Sequence, residues 1–309
     1  MKPTRTIFAA LAVSVLALAG CGGGGDPLAE ETAEAPNGSD APADTITVGS
    51  ANFPEAVLLG EIYAGALEAK DVKVEKKLNI GAREAYIKGL EDGSIDLVPE
   101  YTGVLLQYFD EEATAAKPDE VYTALQSAVP SDLTVLEKSS AEDKDAVVVT
   151  QETADKYKLK SIGDLAPHSK DLVLGGPPEW KTRPTGVSGL KEVYGVEFKS
   201  FTSLDVAGPL TIAALKGGRV DAGNLFTTQS AIAQNDFVVL DDPKLLFTAQ
   251  NVVPLIVKDK ASDTVTEALN GVSANLDTPT LRDLVAKVEV DKQNPAAVAE
   301  EWLTQNGLS

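Results

Sequence analysis

One cysteine, Cys21, and one histidine, His168, are all that the 309 residues hold of the two commonest transition-metal ligands. A lone thiol forms no internal disulfide, so the fold must rest on its hydrophobic core, which a chain of this length can supply. Nor do two such residues make a transition-metal cluster. His168 lies in "LAPHSK", with no motif around it, and is expected to be a solvent-exposed loop residue. Basic charge is scarce too: 27 Lys and Arg stand against 47 Asp and Glu, a net charge of -20. That balance argues against a nucleic-acid partner, which needs a basic stripe to neutralise phosphates. Beyond the first 20 residues no apolar run reaches membrane-spanning length, and no sequence repeat recurs. The acidic "DEEAT" at 110–114 lacks the ligand spacing of a calcium loop, and the tetraglycine at 22–25 lacks the Gly-Lys-Ser/Thr of a phosphate loop.

What is present begins with a leader. Lys2 and Arg5 precede the apolar "IFAALAVSVLALAG", and Leu18-Ala19-Gly20-Cys21 closes it with small residues. Residues 1–21 therefore read as a lipoprotein signal peptide with a lipobox, and Cys21 as the lipid-bearing first residue of the mature chain. Each buried methylene adds about 0.8 kcal/mol, so several acyl chains would keep the protein at a membrane surface, tethered and not spanning. Residues 22–44 carry six acids, no base and almost no large apolar side chain, and read as a flexible acidic tether.

From Thr45 strands and helices alternate. "TITVGSA" gives a strand, Pro54 sits where a helix can start, and Leu58, Ile62, Ala66 and Ala69 repeat at helical spacing. "DVKVEKKLN" alternates as a second strand, and a helix through Tyr86 and Leu90 leads to "GSIDLVPEYTG" at 93–103. There Ile95, Leu97 and Val98 read as a buried strand that halts at Pro99. "DAVVVT", "DLVLGG", "EFKSF", "VDAGNLF", "DFVVLDD" and "VVPLIVKD" are further strands, with a helix at 208–217 and only helices in 262–306. This order predicts two open α/β units and a helical tail. Ligands of such sheets settle outside the carboxyl ends of strands, which is where Tyr101 stands.

Four stretches, "VGSANFPEAVLLGEIYAGALEA", "LNIGAREAYIKGLEDGSIDLVPEYTGVLLQYF", "EWKTRPTGVSGLKEVYGVEFKSF" and "LDDPKLLF", resemble the osmoprotectant-binding lipoproteins of ABC importers, the ProX/OpuC type, nearest to actinobacterial ProX-like members. The resemblance runs from about Thr45 to the end of the chain. It implies a type II periplasmic-binding-protein fold: two α/β lobes, two crossover segments and a ligand cleft between the lobes. Lobe 1 is then expected at 45–147 and 252–309 and lobe 2 at 148–251, with the crossovers in "DAVVVT" and "VVPLIV". It also implies an extracytoplasmic, lipid-anchored receptor, active as a monomer, that binds a small solute of the glycine betaine/choline class and hands it to the permease subunits. Catalysis and a cofactor are not expected.

A quaternary ammonium has no N–H to donate, so aromatic faces hold it, while a carboxylate asks for arginine. By resemblance, Tyr101 of "PEYTG" is the cage tyrosine and Thr102 offers a hydroxyl; the other reading of Tyr101 is a ring packed between sheet and helix. Arg183 of "WKTRPTG" would face the anionic end of the solute, or else is a surface arginine. Asn52 and Phe53 lie in the first strand-to-helix loop, Phe53 either lining the site or stapling the helix. Other positions depart from the family pattern. Asp145 stands where the family often has a tyrosine, Gln250 and Asn251 where it commonly has aromatics, and Phe226 is a ring without the hydroxyl. Trp180 either compensates or packs internally. Asn224, Thr227, Gln229, Gln250 and Asn251 suit a polar solute, so a more polar or aromatic non-betaine guest is an open alternative. A tethered sensor using the same cleft is another.

Overall fold

A computed structural model describes residues 45–309. The leader, Cys21 and the acidic tether lie outside the described residues.

The first sheet is built from β1 (Thr45–Ala51), β2 (Lys73–Gly81), β3 (Leu97–Tyr101), β4 (Leu133–Val135) and a late strand, in the order β2-β1-β3-late strand-β4. Between them run α1 (Pro54–Glu68), α2 (Arg83–Glu91), α3 (Thr102–Phe109) and α4 (Pro118–Ala128). The second sheet holds β5 (Asp145–Thr150), β6 (Val173–Gly176), β7 (Ser200–Ser203), β8 (Ala222–Phe226) and β9 (Phe237–Val239), ordered β7-β6-β8-β5-β9. Its helices are α5 (Gln151–Tyr157), α6 (Val187–Tyr194), α7 (Pro209–Lys216) and α8 (Ser230–Gln234). The chain then returns to the first sheet as β10 (Val252–Val257), the late strand, and ends in α9 (Asp263–Asn275), α10 (Thr278–Glu289) and α11 (Pro295–Gln305).

The central strands read as unbroken apolar runs because both faces of each sheet are covered. On one face of the first sheet Ile46, Val48 and Leu97 meet Leu58, Leu59 and Ile62 of α1 and the apolar sides of α9, α10 and α11. On the other, Val98, Val253 and Leu255 meet Ile87, Leu90, Leu105 and Leu125. The edge strand β2 is instead exposed along most of its length and carries lysines, which discourage pairing with another chain.

Two sequence expectations are corrected here. β3 does not halt at Pro99; it continues to Tyr101, antiparallel to β10, with Pro99 opposite Pro254. Two facing prolines can exchange no N–H bonds, so this pair must fall at a non-hydrogen-bonded position, where a missing donor costs nothing. Nor do "DAVVVT" and "VVPLIV" form the crossovers. β5 pairs with β8 from Asp145 and with β9 to Thr150, so the second sheet begins at 145 and not at 148. The crossovers lie just before β5 and β10, side by side: Ser139 and Val252, Ala141 and Val252, and Asp143 and Gln250 are joined by backbone hydrogen bonds. Both misplacements have one cause, since a strand buried in a sheet centre and an apolar linker carry the same residue types.

Candidate functional site

The carboxyl end of β1 and the start of α1 place Phe53 at the junction of the lobes. Its backbone is extended, and Pro54 begins the helix at a position where its missing N–H is no loss. The Phe53 ring stacks near Tyr101 at the end of β3 (centroids 6.2 Å apart) and near Phe226 at the end of β8 (5.0 Å). Phe226 belongs to the second sheet, so three rings bridge the two lobes. They line a cavity of about 50 Å³ together with Arg83, Tyr86, Pro99, Val104, Asp143, Asp145 and Gln250.

Beneath the rings lies a buried acidic knot. Tyr101 donates from its hydroxyl to Glu55 Oε1 (2.6 Å), and Thr228 of the second lobe donates to Glu55 Oε2 (2.6 Å). Thr228 N and Thr227 Oγ1 donate to Asp143 Oδ1, at 3.1 and 3.3 Å. Burial, opposed by the hydroxyl donors, pushes Glu55 up to about 7. Burial and then the Glu55 charge carry Asp143 well above the carboxylate range. Asp145 is raised by burial and held back by Asn224 Nδ2, which donates to it at 2.7 Å. The Tyr101 phenol is raised by its burial and by Glu55 beside it, so it is a donor here.

A second anchor holds the first lobe's wall. Glu100 is fully buried and accepts from Arg83 Nε (2.7 Å), Arg83 Nη2 (2.9 Å), Tyr86 Oη (2.6 Å) and Tyr101 N (2.9 Å). Burial works against the Arg83 charge, but Glu100 outweighs it and raises Arg83. This bidentate pair fixes α2 against β3 and with it the walls of the cavity.

Of the residues expected from sequence, the structure brings Phe53, Tyr101, Asp145, Phe226 and Gln250 to one cavity. Gln250 accepts from Val104 N through Oε1, while its buried Nε2 has no partner. The others lie elsewhere. Asn52 is exposed. Thr102 is spent on the crossover, donating to Ala249 O and accepting from Asn251 N. Asn251 gives its Nδ2 to Ser139 O. Asn224 and Thr227 sit one layer back and hold Asp145 and Asp143. Trp180 is core: it is 1% exposed and stacks on Phe247 (6.2 Å, 11°). Its indole is part of the second-lobe core with Leu190, Leu246 and Phe247. Arg183 stands at the rim, bound to Glu84 of the first lobe at 3.1–3.3 Å, a contact across the lobes.

Sequence reading missed Glu55, Arg83, Tyr86, Glu100 and Asp143. A signal was present for one of them: an acid inside the buried run "LVPEY" cannot stand without a cation or several donors. Nothing in sequence marked Asp143 off from its neighbours in "EDKD". His168 packs its ring on Tyr157 (4.8 Å) in the second lobe. Among the described residues no group of three or more His, Cys, Asp or Glu is placed to hold a metal ion, and no helix is long and apolar enough to cross a membrane.

Residues 44–305 match the model of the OpuAC family, the substrate binding domain of ABC-type glycine betaine transport systems. The chain belongs to this family. A glycine-betaine-binding protein of Pseudomonas aeruginosa is 27% identical over 87% of this chain and 90% of its own. A crystal structure of a glycine betaine/carnitine/choline ABC transporter is similar with a TM-score of 0.66 and 25% identity, over 85% of this chain and 99% of that one. Apo YehZ from Escherichia coli is similar with a TM-score of 0.59 and 26% identity, over 86% and 100%. The OpuAC member described here thus has the fold of ABC-transporter binding proteins, two mixed sheets with their helices.

Proposed function

We propose that this OpuAC-family chain is the solute-binding protein of an ABC importer and takes a small osmoprotectant of the glycine betaine/choline class into the cleft between its lobes. The observation that carries this reading is the convergence of Phe53, Tyr101 and Phe226 from both lobes on one cavity that also holds Asp143 and Asp145. An onium ion among those rings gains roughly 0.5 to 2 kcal/mol from each face, most where water is excluded, and the carboxylates add attraction without needing an N–H. Because the rings come from different lobes, the solute stabilises the closed arrangement relative to the open one, and the permease reads closure. Cys21 is the proposed lipid anchor, residues 22–44 the tether, and the monomer the working form outside the membrane.

Calorimetric titration with choline and glycine betaine tests the reading. Tyr101→Ala is expected to weaken the better of the two by about tenfold or more, since it removes one face and frees Glu55 from its donor. An affinity unchanged by that substitution removes the cavity from consideration as the binding site.

A further inference from the structure

Polar contacts join the lobes in two places. At the rim Arg183 meets Glu84 at 3.1 Å, a pair charged on both sides at any pH above the carboxylate range. In the interior the contacts run instead between carboxyl groups and neutral donors. Thr228 of the second lobe holds two acids at once: its Oγ1 donates to Glu55 Oε2 of α1 at 2.6 Å, and its backbone N donates to Asp143 Oδ1 of the crossover at 3.1 Å. Beside it, Gln229 Nε2 of the second lobe stands 3.4 Å from Glu289 Oε1 of α10.

Among the described residues no lysine or arginine is ion-paired with these acids. Arg83 and Arg183 are taken by Glu100 and Glu84, and Lys144, next to Asp143 in the chain, is turned to Glu142. The other groups that face Glu55 are Tyr101 from β3, whose phenol donates to Oε1, and Glu289 from α10, which has Lys292 on its far side. The first turn of α1 favours the Glu55 ion. Burial works the other way and is the largest influence, and it raises Glu55, Asp143 and Glu289 alike. Glu55 and Asp143 are only 3% and 5% exposed. That burial depends on the lobes being together, since separating them draws Thr228 off both acids and lets water reach them.

We propose that this seam is a proton-operated latch: a proton held among Glu55, Asp143 and Thr228 keeps the empty protein closed, and its release to solvent sets two buried carboxylates against each other and opens the lobes. The sign follows from burial. Closure raises the acids, so the closed form binds the proton more tightly than the open form does, and closure of the empty protein is favoured at acid pH and lost as pH rises through about 7. The rim pair of Arg183 and Glu84 does not titrate in that window and cannot replace the latch. The device belongs to the empty protein and does not depend on which guest the cavity takes.

Small-angle scattering from the purified full chain without any guest, at one salt concentration and at steps from about pH 5.5 to about pH 8.5, tests the latch. The radius of gyration is expected to rise with pH, with a midpoint near 7, and the Glu55 carboxyl, followed by carbon-13 NMR in the same unmutated protein, is expected to titrate at the same midpoint. Glu55→Gln is expected to lose most of the rise. The general self-repulsion that grows with pH is common to both proteins, so the comparison removes it. A parent whose radius does not change, an opening whose midpoint differs from that of the Glu55 titration, or a folded Glu55→Gln that opens as the parent does each overturns the proposal. If the variant does not fold, the two curves from the unmutated protein decide.

Discussion

Arg83→Met lowers the unfolding free energy by about 3 to 5 kcal/mol, because it strands Glu100 as a buried charge with its bidentate partner gone. In a chain of this size the midpoint of thermal unfolding then falls by roughly 10 °C. The pair itself need not be a large net source of stability, since desolvating both ions offsets most of their attraction. Its removal as a unit is therefore expected to be mild: Arg83→Met with Glu100→Gln recovers most of the loss, the amide oxygen accepting from Tyr101 N while its NH2 donates to the Tyr86 hydroxyl. Chemical unfolding of the single and double variants checks this. A single variant within about 1 kcal/mol of the parent, or a double variant no better than the single, contradicts the role given to Glu100.

Raising the pH from about 5 to about 8 is expected to destabilise the unliganded protein, and Glu55→Gln is expected to remove much of that loss. Glu55 is carried from its ordinary 4.5 to about 7 in the folded chain, chiefly by burial. The folded state then holds a proton that the unfolded chain has released throughout that window, so the contribution is complete below about 4.5 and is lost as pH rises through about 7. At 1.36 kcal/mol per unit the effect is on the order of 3 kcal/mol. The groups that face Glu55 are Tyr101 from β3, Thr228 and Asp143 from the second-lobe side, and Glu289 from α10, itself raised by burial. None is a base, so ionisation sets carboxylates against one another between the lobes. Glutamine in place of Glu55 keeps an acceptor for Tyr101 and turns its N–H toward Thr228 Oγ1, with no charge of its own. A cation in the cavity has the converse effect. It favours the ionised carboxylates, so binding is expected to release protons near neutral pH and to tighten as pH rises. Melting curves across pH for both proteins, and titrations in buffers of different ionisation enthalpy, report the two effects. A parent and variant with parallel stability profiles contradict the assignment.

The alternation of strands and helices was legible because burial on two faces leaves long apolar runs between polar turns, as in β1 and β10. β4 escaped notice: Leu133–Val135 is too short to show a period. Tyr101 was legible as a residue at a strand end, and Phe53 and Phe226 as rings beside one. Arg83 was not. "REAYIKGLE" reads as a polar surface helix, and only the folded packing of α2 on β3 shows that its first turn lies over a buried glutamate. Trp180 misled for the opposite reason, since a large ring near a turn looks available until it is seen packed on Phe247 in the second-lobe core. The partner of Arg183 was not legible either, because Glu84 reaches it from the other lobe, 99 residues away in the chain. Contacts between lobes leave no local period in sequence, and of the missed residues Glu55 and Asp143 make them, both through Thr228.

The account rests on rings from two lobes closing on one onium ion. Its most direct test is calorimetric titration of the parent and of the Phe53→Ala, Phe226→Ala double variant with the tightest-binding quaternary ammonium. The account predicts one-to-one binding by the parent and a loss of between about fivefold and several hundredfold in the variant, from two ring faces at roughly 0.5 to 2 kcal/mol each, with the thermal transition still cooperative. Equal affinity in the two folded proteins would contradict it.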